Sequence, residues 1–598
     1  MDASDRRRII VGIDFGTTFT GIGWAESERN NGQQVLINDW PSSRESQGGS
    51  SSPKAPTKLR YLDSGEIEWG FQIPDDAQPR DILSLFKLGL EIDRYRNSVD
   101  VIGKSLDFDN VDQNITDYLA GVFEYFMKVM QRQIGNGLLH NSTLHFVLTV
   151  PAIWGEAARQ RTTKAFERIP NLPKDHLTTL FSEPEAAATA ALRDLNNHDL
   201  RVNDSFVVVD AGGGTVDLIT YTITSLFPGL EVAEATEGTG DFCGSSRLND
   251  RFIQFLTSRL GREDGWDDEV LHGAVENFEG DVKRKFDMSA LARNREFYVP
   301  VPGLGLNPDV GIHRTGRLTL KADEVHLFFE PDMIKIIQLV KDQIAMAAVP
   351  IQKILLVGGY GASIYLRERI QVAVREDSSI VNEIEVLQPP NSWASIVRGA
   401  VMKGLSLANP VNYDVPIVKT RTARKHYGYS CGRPFDPRKH ESLRSRKYWD
   451  GLTGCWRVKV MDWIIKRGEP VSENEPFLRT YYHAQPVVLG RPNSITSNIY
   501  SDQVSSVAPL SKDKNVKLLC RVTANLHHIP ENELEKTLGV DEMMYYQLEY
   551  QIESIYQSAS TEYTLIYKGK YSSPPEVFSP LLTVPLGQRH GTVTAEYV

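Results

Sequence analysis

The chain has 598 residues, a formal net charge of -11, 41% hydrophobic residues and 24% charged residues. At roughly 100 to 200 residues per domain it must hold several packed units, and its ordinary globular composition excludes a disordered or collagen-like chain. The negative charge excludes a surface that coats nucleic acid or anionic membrane over its whole area. Cys243, Cys431, Cys455 and Cys520 stand far apart without CxxC spacing, so neither a zinc site nor a disulfide framework is expected, and a reducing compartment fits best. The opening MDASDRRRII shows no leader, and no run approaches the ~20 apolar residues of a membrane span. The expectation is a soluble protein of the cytoplasm, with the nucleus also open to it.

In chain order, Ile9 to Ile13 is a short β-branched run that enters the turn Asp14-Phe15-Gly16-Thr17-Thr18. Pro41 to Thr57, rich in Ser, Gly and Pro, reads as an exposed loop. Tyr118 to Gln133 and Glu156 to Arg168 have helical character, and Phe146 to Val150 reads as a buried strand. Phe206 to Val209 then repeats the opening device, entering Asp210-Ala211-Gly212-Gly213-Gly214-Thr215, which points to two related lobes. Ile354 to Val357 is another buried strand, followed by Gly358-Gly359-Tyr360-Gly361. This alternation gives an α/β layered domain over residues 1–405. Beyond a linker at 406–414, period-two patterns such as Trp456-Val458-Val460 and Tyr546-Leu548-Tyr550-Ile552 predict a β-rich module over 415–598.

Glycine in a tight turn lets backbone N–H groups reach phosphate oxygens, so two such hairpins can grip one polyphosphate. Asp14 and Asp210, at strand ends facing one gap, could hold Mg²⁺ through its retained waters, while Thr17, Thr18 and Thr215 add hydroxyls. Either hairpin alone is ordinary turn chemistry; the ordered pair points to Mg-ATP. The Gly358 turn could approach a nucleoside, or be a plain strand-to-helix connection.

The motifs GIDFGTT, VVDAGGGTVD and LLVGGYGAS resemble, in this order, the two phosphate motifs and the adenosine motif of the actin-like ATPases. VPAIWGEAARQ, SEPEAAATAAL and GDFCGSSRLNDRF resemble segments of the heat-shock protein 70 family, and the shortened β module resembles its divergent member-12 branch. The resemblance implies a two-lobed actin-like (ribonuclease H-like) ATPase domain followed by a β-rich C-terminal domain. It implies ATP or ADP with Mg²⁺ as ligands, held by Asp14, Gly16, Thr17, Thr18, Gly212, Gly213, Gly214 and Thr215. Lys283, Arg284, Gly358, Gly359 and Tyr360 would hold the nucleoside, with Asp14 and Asp210 nearest the metal. Lys87 would position the attacking water, with Glu183, Asp210 and Asp217 as the catalytic acids. Outside the resemblance, Lys87 reads as a lysine snorkelling from an apolar helix.

Three features depart from the family pattern. Tyr360 and Ala362 stand where Ser and Arg are usual, Trp393 replaces an acid, and LANPVNYDVPIVK replaces the acidic interdomain linker. The basic residues between Lys419 and Lys447 read as a solvated face or an intramolecular partner rather than a nucleic-acid site, and His527 and His528 lack partners at metal spacing. The functional expectation is a slow ATPase of chaperone type whose β module engages a polypeptide client or partner protein, with co-chaperones as further candidates. The rivals are a nucleotide-sensing scaffold with little turnover, a small-molecule kinase on the same fold, and a filament former.

Overall fold

The computed structural model describes residues 7–27, 32–43, 50–74, 76–91, 110–194, 201–227, 229–410, 415–473, 475–527, 529–559, 561–567, 570–571 and 593–597. They fall into two compact units, Met1–Ile417 and Val418–Val598. Among the described residues no helix is long and apolar enough to cross a membrane.

The first β-branched run forms β1 (Arg7–Phe15), whose residues from Ile9 onward are all buried. A strand covered on both faces reads as a continuous apolar run rather than an alternating one. It returns antiparallel as β2 (Phe19–Glu26), and on its other side lie the parallel strands β3 (Ser142–Val150) and β4 (Leu177–Ser182), giving the order β4-β3-β1-β2. The second lobe repeats the plan. There β5 (Ser205–Ala211) returns antiparallel as β6 (Val216–Ser225) and β7 (Glu231–Glu234), and is flanked in parallel by β8 (Ile351–Val357) and β9 (Glu385–Leu387). Each acidic glycine turn is therefore the hairpin between the first two strands of its own sheet.

Parallel neighbours need long crossovers, which helices supply. In the first lobe these are α1 (Val111–Ile134) and α2 (Glu156–Glu167), and α3 (Glu183–Asp194) leads toward the second. The second lobe carries α4 (Ser246–Leu260), α5 (Asp268–Asn277), α6 (Ala322–Met346) and α7 (Ile364–Arg375). The aromatic residues of this lobe pack tightly, with the rings of Phe252 in α4 and Phe278 just past α5 stacked 4.2 Å apart. The last helix of the unit, α8 (Ser395–Ala408), returns to the first sheet.

Two expectations need correction here. Helix α8 runs through Ser406, Leu407 and Ala408, and Val415 is buried with Ala190 and Met402, so the linker expected at 406–414 begins inside a helix and residue 415 packs with the first unit. Residues 411–414 lie outside the described set. The stretch Pro41 to Thr57 is not wholly an exposed loop: Ala55–Pro56 pairs with β2, and Lys54, Ala55 and Thr57 are buried. Its 44–49 portion lies outside the described residues.

The second unit contains two antiparallel sheets. One includes β10 (His426–Pro434), β11 (Cys455–Ile465), β13 (Ser494–Asp502) and β14 (Lys517–Asn525); the other includes β12 (Pro476–Pro486), β15 (Met544–Tyr556) and β16 (Thr561–Tyr567). Tyr429, Ile499 and Val522 of the first share a core with Leu548, Ile552 and Leu565 of the second, as period-two patterning requires. Trp456 departs from that pattern at the end of β11. Its ring is 47% exposed, edge-on to Trp449, with Lys447 Nζ 4.4 Å from its centroid.

Candidate nucleotide site

The two glycine hairpins face each other across a cleft of about 320 Å³ within the first unit. Their contact explains the glycines. A Cβ on Gly213 would lie 2.1 Å from Thr18 Oγ1, and one on Gly214 would lie 2.8 Å from Thr17 Cγ2, so any side chain would push the loops apart. The second loop is fixed from behind: the N–H groups of Gly244, Ser245 and Ser246, at the start of α4, donate to the carbonyls of Gly214, Gly212 and Gly213. The first is fixed by Thr57, whose N–H donates to Thr18 O at 2.8 Å and whose hydroxyl donates to Gly16 O at 2.8 Å.

Four buried carboxylates, Asp14, Glu183, Asp210 and Asp217, gather here. Lys54 Nζ donates to Asp14 at 2.5 Å and Lys87 Nζ donates to Glu183 at 2.7 Å. Asp217 accepts from the Ile153 N–H at 3.2 Å, which ties the second lobe to the loop after β3. One oxygen of Asp210 is buried without a hydrogen-bond partner. Burial, followed by repulsion from Glu183, Asp217 and Asp14, raises the Asp210 pKa well above its ordinary value. Burial likewise pushes Glu183 up to about 7, against the pull of Lys87. Lys54 and Lys87 are each paired with an acid, and the unpartnered Asp210 oxygen is suited to a water of a cation's hydration shell. Among the described residues no group of three or more acidic, His or Cys side chains could hold a metal ion directly.

The far end of the cleft is built by the third glycine turn. Gly358 has φ +84°, and a Cβ there would fall 2.5 Å from an Asp210 oxygen, so this turn brings bare backbone against the acid. Lys283 and Arg284 line this cleft, and Lys283 Nζ donates to Ser245 O and Asn249 Oδ1 at 3.1 and 3.0 Å. Burial lowers the Lys283 pKa. Tyr360 is 5% exposed and packs toward Phe329. Trp393 stands edge-on to Phe19 at 5.5 Å and beside Gly359. Both lie in the cleft wall without closing the cleft.

Asp14, Gly16, Thr17, Thr18, Glu183, Asp210, Gly212, Gly213, Gly214, Thr215, Lys283, Arg284, Gly358, Gly359 and Tyr360 all line this one cleft. Lys87 and Asp217 do not reach its wall. Lys87 is 1% exposed on a 3-10 turn, Phe86–Glu91, with Nζ 5.5 and 5.0 Å from the Phe15 and Trp154 ring centroids, so it is a buried ion-pair partner and not a snorkelling side chain. Sequence reasoning missed Lys54, because a Ser/Gly/Pro-rich stretch carries no sign that its end folds back on β2. Ser245, Glu279 and Phe329 of the wall were also missed; Ser245 lies inside the segment GDFCGSSRLNDRF, the signal that could have flagged it.

The basic run near residues 419–447 resolves partly into ion pairs. Arg421 meets Glu473 at 3.1 Å with both side chains buried, Arg433 meets Asp462 at 3.3 Å, and Arg444 meets Glu441 at 3.0 Å. His527 is described and His528 lies outside the described residues.

The family model described as Hsp70 protein matches residues 120–404. Heat shock 70 kDa protein 12A of Homo sapiens is 24% identical over 603 residues, spanning 85% of this chain and 83% of the relative. Heat shock 70 kDa protein 12B of Homo sapiens is 23% identical over 571 residues, spanning 80% and 79%. Mitochondrial-type heat shock protein 70 of Encephalitozoon hellem is 24% identical over 423 residues, spanning 67% and 64%. The family model covers the second hairpin and the third glycine turn and begins after the first hairpin, while the similarity to the member-12 proteins extends beyond it, so the chain is similar to the heat-shock protein 70 family and to its divergent member-12 proteins.

Proposed function

We propose that the cleft binds Mg-ATP and hydrolyses it slowly, and that the second unit engages a polypeptide, as in a chaperone. The observation that carries the nucleotide reading is the meeting of equivalent hairpins from two duplicated sheets at interlocking glycines and threonines, beside the unpartnered oxygen of Asp210. Backbone N–H groups of the hairpins would hold the phosphates, and Asp14 and Asp210 would hold hydrated Mg²⁺, which supplies charge neutralisation when bound. The residues then position water for in-line attack more than they perform covalent chemistry. Glu183, which accepts from Lys87, would accept a hydrogen bond from that water.

A second reading, a nucleotide-sensing scaffold with little turnover, is favoured by one observation: Lys87 stands behind the cleft wall on Glu183 instead of facing the phosphates. Single-turnover hydrolysis of labelled ATP by the full chain, beside Lys87→Ala and Asp210→Ala, separates the two. The ATPase reading expects measurable turnover in the wild type, and loss in both variants with binding retained in Lys87→Ala. Binding without turnover in the wild type would replace it with the scaffold.

A further inference from the structure

In the second unit, β10 pairs with β13 over His426↔Asp502, Tyr427↔Ser501, Gly428↔Tyr500 and Tyr429↔Ile499, and there the pairing stops. Both strands continue. β10 remains paired with β11 as far as Pro434, and β13 remains paired with β14 back to Ser494. The next three register pairs would be Ser430 with Asn498, Cys431 with Ser497 and Gly432 with Thr496. Those six residues line a cavity of about 610 Å³. Among the described residues the sheet is split, and two strand edges that would normally hydrogen-bond to each other instead face a common gap.

The two sides of the gap differ. Side chains alternate along a strand, so Cys431 and Ser497 face the opposite sheet while their neighbours face away from it. The inner side is floored by Tyr481, Tyr550 and Ile552, with Tyr550 OH and Ser497 Oγ hydrogen-bonded at 3.0 Å. The outer side carries Lys459 and Lys512, Arg446 also lines the cavity, and among the described residues no carboxylate does. Lys512 lies over the Tyr500 ring, 3.7 Å from its centroid. Asp462, which accepts a hydrogen bond from Tyr481 of the floor at 3.2 Å, is also engaged by Arg433 at 3.3 Å. A cluster of cations without an acid among them stands out on a chain of net charge -11.

We propose that this gap binds an extended, acidic segment of a partner polypeptide, which enters between β10 and β13 as an added strand. Unpaired strand edges supply main-chain hydrogen bonds and the alternating sides supply selectivity. One side of the guest rests on the tyrosine and isoleucine floor, and its acidic side chains meet Lys459, Lys512 and Arg446. The inference rests on the reading that the second unit engages a polypeptide, and it specifies where and with what charge.

The test uses the full chain and fluorescein-labelled ten-residue peptides of alternating Glu and Val, alternating Lys and Val, and alternating Ser and Leu, read by fluorescence anisotropy. The acidic peptide is expected to bind tightest, with affinity falling as salt rises and about tenfold or more in Lys459→Glu/Lys512→Glu. The thermal unfolding profile and far-UV circular dichroism of that variant are expected to match the wild type, which shows that the second unit folds. Hydrogen exchange at 430–432 and 496–498 should slow when the peptide is bound, which mere electrostatic adhesion would not cause. Binding of the Ser/Leu peptide that ignores the double variant would overturn this site while sparing the polypeptide reading. Failure of all three peptides to bind would overturn both, and acidic binding without slowed exchange at the six positions would overturn strand insertion.

Discussion

At the scale of single residues, Lys54, which the sequence did not single out, is a buried ion-pair partner in the cleft. Its ammonium and the Asp14 carboxylate are both almost completely buried, and removing one partner leaves an uncompensated charge. Lys54→Met is therefore expected to destabilise the nucleotide-free protein by about 3 kcal/mol. Part of that loss should return when Mg²⁺ and ATP are added, because the cation would then face Asp14; thermal denaturation with and without ligand measures both. His145 shows how burial sets pH dependence away from the site. Burial first, and Arg8 second, lower its pKa from 6.5 to about 4, and its Nε2 lies 2.8 Å from Thr179 Oγ1. The folded state thus binds this proton less readily than the unfolded state does. The stabilisation, about 3 kcal/mol at pH 7, is complete above pH 6.5 and is lost as pH falls from 6.5 through 4. Denaturation midpoints of wild type and His145→Gln should converge across that window.

At the scale of elements, the first sheet and α8 fit through small residues. A Cβ on Gly12 would lie 2.8 Å from Val397 O, and one on Gly399 would lie 1.8 Å from Ala186 O of α3. These helices can approach one another and the sheet only where side chains are missing. Gly399→Ala, an innocuous change in an isolated helix, should cost about 1 to 3 kcal/mol here, because backbone must move to admit the methyl group. Urea denaturation monitored by tryptophan fluorescence would show it. Elements whose signal is local were legible beforehand: β1, β5 and β8 are buried apolar runs, and the glycine hairpins announce themselves. What depended on distant partners was not legible. The Ala55–Pro56 pairing with β2 places Lys54 in the cleft, yet nothing in its own neighbourhood marks it. Lys87 read as a lone lysine on an apolar segment, and only α3 arriving with Glu183 gives it a partner. The end of α8 was misjudged because Asn409-Pro410 marks a stop without indicating how far the helix continues toward it.

At the scale of the whole molecule, one plan is used twice: a hairpin with an acidic glycine turn, flanked by parallel strands. Duplication puts the two turns where a single polyphosphate can be held between lobes, and burial among neighbouring acids raises the Asp210 pKa in the cleft between them. Such a site is stabilised by what it binds. The second unit differs in kind, being two antiparallel sheets, one of them split. The most direct test of the central claim is calorimetric titration of the full chain with ATP, in the presence and absence of Mg²⁺, beside Gly213→Val. The account predicts saturable binding of one nucleotide that is tightened by Mg²⁺ and abolished in Gly213→Val, where the added side chain meets Thr18. No binding by the wild type in Mg²⁺, or undiminished binding by Gly213→Val, would contradict it.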